Sequence, residues 1–329
     1  MPSAVSVYPE SPAARDRFVR QRRPPTQPRD PWRHQGVLVE DERAADGRVV
    51  QTATVFLTGR ECPWRCIMCD LWRFTVAIDT PAGALPHQIR CAREGLAAAG
   101  QVPEHVKLYN AGSFFDAQAI PPSEDESIAD LVAGFDRVIV EAHPAYLRGP
   151  YAERCLRFRD LLRDRQVGQL EVAIGLETAH PEILERLNKR MTVADFDTAA
   201  RFLRQHGIDV RAFILLKPPF LPAEDTVEWT CRSIDAAFDA GATVCSVIPT
   251  RGGNGAMEAL GAVPPELTAF ESVLEYGVAI GRGRVFADLW DVERLSTCRC
   301  APARVARLRA MNETQRIPAP VLCDCAARR

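Results

Sequence analysis

The chain has 329 residues, 47% of them apolar, and a formal net charge of −2, enough to bury the core of one α/β barrel with a small appendage. No apolar run approaches the ~20 residues that cross a bilayer, and no apolar stretch follows the first basic residues as in a secretory leader, so a cytoplasmic protein with no membrane partner is expected. In a reducing compartment 11 cysteines speak for metal ligation rather than a disulfide framework, and the near-neutral charge neither demands nor excludes nucleic acid.

Residues 1–48 form a Pro/Arg-rich arm (RDRFVRQRRPPTQPRDPWRHQG) without sustained periodicity. Arg15, Arg17, Arg20, Arg22 and Arg23 cluster there around Phe18, which suits either a solvated arm or an RNA contact. From Val50 apolar runs alternate with amphipathic stretches. Strands are predicted at 52–58, 105–110, 137–142, 170–177, 210–217 and 243–249, with helices near 84–99, 124–133, 151–165, 193–206, 224–240 and 265–281. Strands apolar on both faces and separated by helices indicate parallel βαβ units. Six units predict an α/β fold, a partial (β/α)6 TIM-like barrel over 49–284. Residues 285–329, Arg-rich and cysteine-bearing, read as a small C-terminal module.

The segment ECPWRCIMCD places Cys62, Cys66 and Cys69 in one loop directly after the first predicted strand. Three thiolates so spaced can each hold one corner iron of a [4Fe–4S] cluster and leave the fourth iron open to a chelating molecule. A zinc site would want a fourth ligand, for which only Asp70 or distant Cys91 offers itself. In a parallel α/β barrel the reactive groups gather at the C-terminal ends of strands. Asn110, Gly112 and Ser113, Glu141, Glu177 and Lys217 stand at those ends. Glu177 suits a ligand-binding carboxylate or an arginine partner, and Glu141 divides the same way. Lys217 can bind a carboxylate or pair with Glu177. Arg211 begins its strand, at the far end of the barrel, and reads as structural.

The spacing of the three cysteines, and their place after the first strand of a βα series, resemble the radical S-adenosylmethionine (SAM) superfamily. The succession FLTGRECPWRCIMCD, YNAGSFFDAQAIP, VIVEAHPAYL, LEVAIGLETAHPEILERLNKRMTVADF and VRAFILLKPPFLPAEDTVEW is similar to its Elongator/MiaB/NifB-type group, and within that to the archaeosine synthase radical SAM subunit family, over about residues 50–250. The resemblance implies Cys62, Cys66 and Cys69 as ligands of a [4Fe–4S] cluster that binds SAM and reductively cleaves it to a 5′-deoxyadenosyl radical. It further implies an electron donor such as flavodoxin or ferredoxin, and tRNA as a substrate; a partner subunit is left open. By the same resemblance Asn110, Gly112 and Ser113 take the place of a Gly-Gly-Glu-type motif facing the SAM amino group, although the glutamate is missing. Glu141, Glu177 and Lys217 would join the SAM site. Met68 stands where relatives carry an aromatic residue beside the adenine.

Near the C-terminus, Cys298 and Cys300 form one C-x-C pair and Cys323 and Cys325 another. Four thiolates in two pairs suit a zinc site; a second cluster or no metal also fits. The glycine-rich segment Thr250–Gly255 follows the sixth predicted strand, as a turn or a substrate contact. Three functions follow: modification of a nucleoside in tRNA or other RNA, modification of a peptide or small metabolite with an auxiliary C-terminal metal site, or a binding protein that keeps the fold without turnover.

Overall fold

The computed structural model describes residues 8–322. One curled sheet carries eight strands in chain order. Strand β1 (Gly36–Arg43) runs antiparallel to β2 (Val49–Leu57). Parallel to β2 follow β3 (His105–Asn110), β4 (Arg137–Glu141), β5 (Gln169–Glu177), β6 (Asp209–Leu216), β7 (Val244–Pro249) and β8 (Arg284–Ala287). Helices return the chain between them: α2 (Ala84–Ala98), α3 (Asp125–Leu131), α4 (Pro150–Asp164), α5 (Pro181–Arg186) with α6 (Val193–Gln205), α7 (Thr226–Asp239), and α8 (Ala256–Ala259) with α9 (Leu267–Ala279). Parallel strands need such crossovers, and helices on the outer face explain why β4 through β7 are apolar on both sides. The result is a partial TIM-like barrel, as the alternation of strands and helices leads one to expect.

The six predicted strands coincide with β2 to β7. Two edge strands lie outside that set, each for a local reason. Strand β1 reads GVLVEDER, whose acidic residues look like loop; Glu42 is nevertheless buried inside the barrel, bonded to Lys107 Nζ at 2.6 Å and to Arg211. Strand β8 has four residues, too few for a periodic signal. Consequently the segment expected as an arm, laid over the barrel or hanging from it, contributes a strand, and the boundary expected at 284 falls inside β8. Helix α1 (Pro12–Arg22) likewise buries Phe18 and Val19 rather than hanging in solvent.

The barrel stays open between β1 and β8, and α10 (Ala301–Thr314) packs over that gap against β1, β8 and α9. An open sheet edge presents unpaired N–H and C=O groups. Two side-chain amides at the end of α10 take them up. Asn312 accepts from Ala287 N and donates to Ala287 O, both at 2.8 Å, while Gln315 does the same for Val285 at 2.8 and 2.9 Å.

At the N-terminal end of the strands the barrel is filled by ions. Arg211, only 2% exposed, bonds Glu171 at 2.6 Å, Ser246 at 3.2 Å and Glu42; Arg137 bridges Glu171 at 2.9 Å and Asp209 at 2.7 Å. Arg211 is therefore at the end opposite the strand-terminal residues, as its position in β6 suggested. Among the described residues no helix is long and apolar enough to cross a membrane.

Candidate active site

The loop after β2 carries Cys62, Cys66 and Cys69 to the C-terminal mouth of the barrel, and backbone from around the rim holds it there. Cys62 N donates to Ala111 O, after β3, at 3.3 Å, and Ile67 N donates to Leu187 O at 3.0 Å. Asn188 Nδ2 reaches Arg65 O at 2.8 Å and also Asp16 of α1 at 2.8 Å. Asn254, 2% exposed in the glycine-rich loop after β7, donates to Ile67 O at 2.8 Å and Cys69 O at 3.2 Å, while its own Oδ1 accepts from Met257 N. That loop is thus a tether of the cysteine loop. The sequence singles out its glycines; the residue whose side chain reaches the cysteine loop is the asparagine among them.

Burial pushes all three thiols up: Cys62 to about 12, Cys69 to about 11, and Cys66 well above the ordinary range. The Lys189 ammonium pulls each of them back, joined by Arg65 at Cys62 and Arg23 at Cys69. Thiols so buried give up their protons far more readily to a metal than to water, so metal uptake at this loop would release protons.

Lys189 is the central cation of the mouth, whereas the sequence offers Lys217 as a carboxylate binder or as the partner of Glu177. The Lys189 ammonium bonds Glu177 at the end of β5, so the partner of Glu177 is neither Lys217 nor an arginine. Burial works against the charge on Lys189, but Glu177 and Cys66 hold it above its ordinary value. Gly175 permits the pair, because a Cβ there would collide with both Lys189 Nζ and Glu177 Oε1. Lys189 stands between two residues in the left-handed region, Asn188 and Arg190, each at φ 61°. Its carbonyl is fixed by His143: Ala145 N donates to His143 Nδ1 at 3.1 Å, so Nε2 carries the proton and meets Lys189 O at 3.0 Å. Burial and the Lys189 charge keep His143 neutral by lowering it to about 3. The ring stacks on Trp64 of the cysteine loop, centroids 3.8 Å apart. The available signal was a lysine in a chain with three, flanked by Asn and Arg.

Around this pair the mouth is polar and in part unsatisfied. Both amide atoms of Asn110 and the Ser113 hydroxyl are buried with no hydrogen-bond partner, which is costly unless a ligand supplies one. Glu141 ends β4, and burial together with the Glu177 charge lifts its carboxyl to about 8 against the pull of Lys189. Gly112 lies close to the Asn110 amide, which a Cβ would meet at 3.3 Å. Met68 is half-buried against the core. Lys217, half-buried at φ 58°, directly follows β6 and forms no ion pair among the described residues. The mouth thus gathers Cys62, Cys66, Cys69, Glu141 and Glu177 around Lys189, with Asn110 and Ser113 at the end of the neighbouring β3.

Among the described residues no three His, Cys, Asp or Glu groups converge as ligands of a single metal ion. A cluster that takes one thiolate per iron asks instead for thiols spread around a loop, and a three-thiol loop beside unmet polar groups fits a cluster with an open iron. At the start of α10 the Cys298 and Cys300 sulfurs lie 2.8 Å apart; Cys323 and Cys325 lie outside the described residues.

No family model matches the chain. It is 30% identical over 201 residues to archaeosine synthase subunit beta of Methanosarcina acetivorans, covering 58% of this chain and 56% of that protein. It is also 30% identical over 173 residues to the Thermococcus kodakarensis protein of the same name, covering 51% of each. The chain spans about half the length of these curated relatives. Among solved structures, methylornithine synthase superposes with a TM-score of 0.47 at 15% identity, over 69% of this chain and 63% of that one.

Proposed function

From the kinship of this chain with the radical SAM superfamily, we propose that it is a radical SAM enzyme that modifies a nucleoside within RNA, tRNA being the preferred substrate. The observation that carries the proposal is the three-cysteine loop tethered across the barrel mouth by Ala111, Leu187, Asn188 and Asn254, next to buried polar groups that lack partners.

In this reading Cys62, Cys66 and Cys69 hold three irons of a [4Fe–4S] cluster. Bound together, cluster and SAM supply one-electron reductive cleavage of the sulfonium and the radical chemistry that follows. The chain's own residues bind, orient and shield. Lys189 balances the negative charge that three thiolates bring into a buried site. Asn110 and Ser113 offer the amino and carboxylate ends of SAM the hydrogen bonds their side chains lack at present, and the backbone of Gly112 lies between them. Glu177 presents a carboxylate already aligned by Lys189. Glu141, protonated at neutral pH, donates a hydrogen bond rather than adding a charge. Met68 packs beside the adenine with a polarizable thioether, and Lys217, without a competing carboxylate, is available to an anionic group of SAM or substrate. An electron donor of the flavodoxin or ferredoxin kind completes the system. A partner subunit belongs to the proposal too, because the relatives are named as subunits.

The proximity of the Cys298 and Cys300 sulfurs favours a second reading for the tail, a site for zinc or an auxiliary cluster completed by Cys323 and Cys325, which would suit a peptide or metabolite substrate. One experiment addresses both. Anaerobically purified protein is assayed for iron, sulfide and zinc, then for 5′-deoxyadenosine after SAM and reductant, then for a SAM-dependent mass change in added tRNA. About four irons per chain are expected, with deoxyadenosine formed and both lost in Cys66→Ala. An active Cys66→Ala protein would sink the proposal; about eight irons without zinc, and no change in tRNA, would move the substrate to the second reading.

A further inference from the structure

The outer rim of the cysteine loop carries a concentration of guanidinium groups that the radical chemistry does not use. Arg23, at the end of α1, and Arg65, between the first two cysteines, share one carboxylate: Glu61 Oε1 lies 2.7 Å from Arg23 Nη2 and 3.3 Å from Arg65 Nη1. The charge of Arg20, an exposed side chain on α1, bears on Arg65 as well. Two guanidinium groups thus share a single carboxylate, and Arg20 adjoins them on the last turn of α1, where its carbonyl accepts from Arg23 N at 3.4 Å. Their donors are in surplus, for Arg23 Nε and Arg65 Nε are both buried without an acceptor. The Arg23 fork lies over the Trp72 ring at 4.7 Å, which holds its plane in place. Arg65 is anchored from below by Trp64 O at 2.9 Å and Cys62 O. Beside them opens a cavity of about 240 Å³ lined by Arg60, Glu61, Arg65 and Gln118. Asp116 on its wall is engaged by Gln118 N at 3.0 Å, and Arg60 is paired with Asp79.

Planar forks with spare N–H donors match the tetrahedral oxygens of phosphate better than they match one carboxylate. We propose that Arg20, Arg23 and Arg65 form a phosphate-binding site on the rim next to Cys62, which takes a backbone phosphate of the RNA and so rests on the reading above. Glu61 occupies the forks until the phosphate arrives. The site anchors the strand at the loop that carries the cysteines, so that binding energy from a non-reacting part of the substrate positions the reacting nucleoside.

The test is equilibrium binding of fluorescently labelled tRNA to the full chain across a salt series. Arg20→Gln should lower the magnitude of the slope of log K against log salt by about 0.7–0.9, the share of one phosphate contact. Glu61→Gln should tighten binding, because it removes the competing carboxylate, and Arg157→Gln, an exposed arginine on α4, should change neither. If Arg20→Gln behaves as Arg157→Gln does while the wild type binds, the site is wrong and the RNA reading stands. If tRNA does not bind, yet inorganic phosphate raises the melting temperature of the wild type and not of Arg20→Gln, the phosphate site stands with a small phosphorylated ligand and the RNA reading fails. Neither response overturns both.

Discussion

At the residue scale, the mouth of the barrel is governed by one lysine and the acids around it. Glu177 is neutralised by Lys189, whereas Glu141, without a bonded cation, is kept protonated by burial. Its raised pKa is a stability statement with a definite sign. Between the unfolded value near 4.5 and about 8 the folded chain holds a proton that the unfolded chain has lost, so stability falls as pH rises through that window. Glu141→Gln, which cannot ionise, should escape this loss. Its melting temperature relative to wild type is expected to climb from pH 5 to pH 8 and then level off. A constant difference across that range would mean that Glu141 is ionised in the folded protein.

At the scale of elements, the open sheet is the feature that needs explaining. A closed barrel has no edges; here the role of the missing neighbour to β8 falls to Asn312 and Gln315, two amides that each offer a donor and an acceptor to one residue of the strand. They work because Asn312 lies in the last turn of α10 and Gln315 is its C-cap, in the left-handed region at φ 50°, so that both amides meet the strand. Replacing Asn312 by leucine and Gln315 by methionine keeps the shape of each side chain and strands four backbone groups of β8 at once. With each unsatisfied buried group costing about 1–3 kcal/mol, the double variant should unfold at markedly lower denaturant, and hydrogen exchange at Val285 and Ala287 should quicken first. Unchanged exchange at those two amides would show that water satisfies the edge equally well.

For the molecule as a whole, the ionic core at the N-terminal end separates a structural half of the barrel from a reactive half. Glu42 brings β1 into the barrel by meeting Arg211 and Lys107. Burial opposes its ionisation, but the two cations hold the carboxyl far below the ordinary carboxylate range. This contribution is complete above the unfolded value of 4.5 and is lost only as pH falls well below it. Removing one partner of a buried ionic set leaves the others uncompensated, so Glu42→Gln should cost about 3–5 kcal/mol at neutral pH. Chemical unfolding of the metal-free chain measures this; a loss below about 1 kcal/mol would assign β1 no part in stability.

The strand–helix alternation from Val50 to Ala279, the partial barrel it builds and the cysteine loop after β2 were all legible in the sequence, because each rests on local pattern: apolar runs, helix periodicity and three cysteines within eight residues. Strand-end residues such as Asn110, Glu141 and Glu177 were legible for a related reason, since parallel topology places every strand terminus at one mouth. What the sequence left hidden depends on contacts far apart in the chain. Lys189 reaches Glu177 only because Gly175 leaves room and His143 pins its carbonyl. Asn254 meets Cys69 across 185 residues. The acidic β1 becomes a strand only when Arg211, from β6, meets Glu42 inside the barrel. A buried charge or amide is tolerable only beside its partner, and that partner is decided by the tertiary structure.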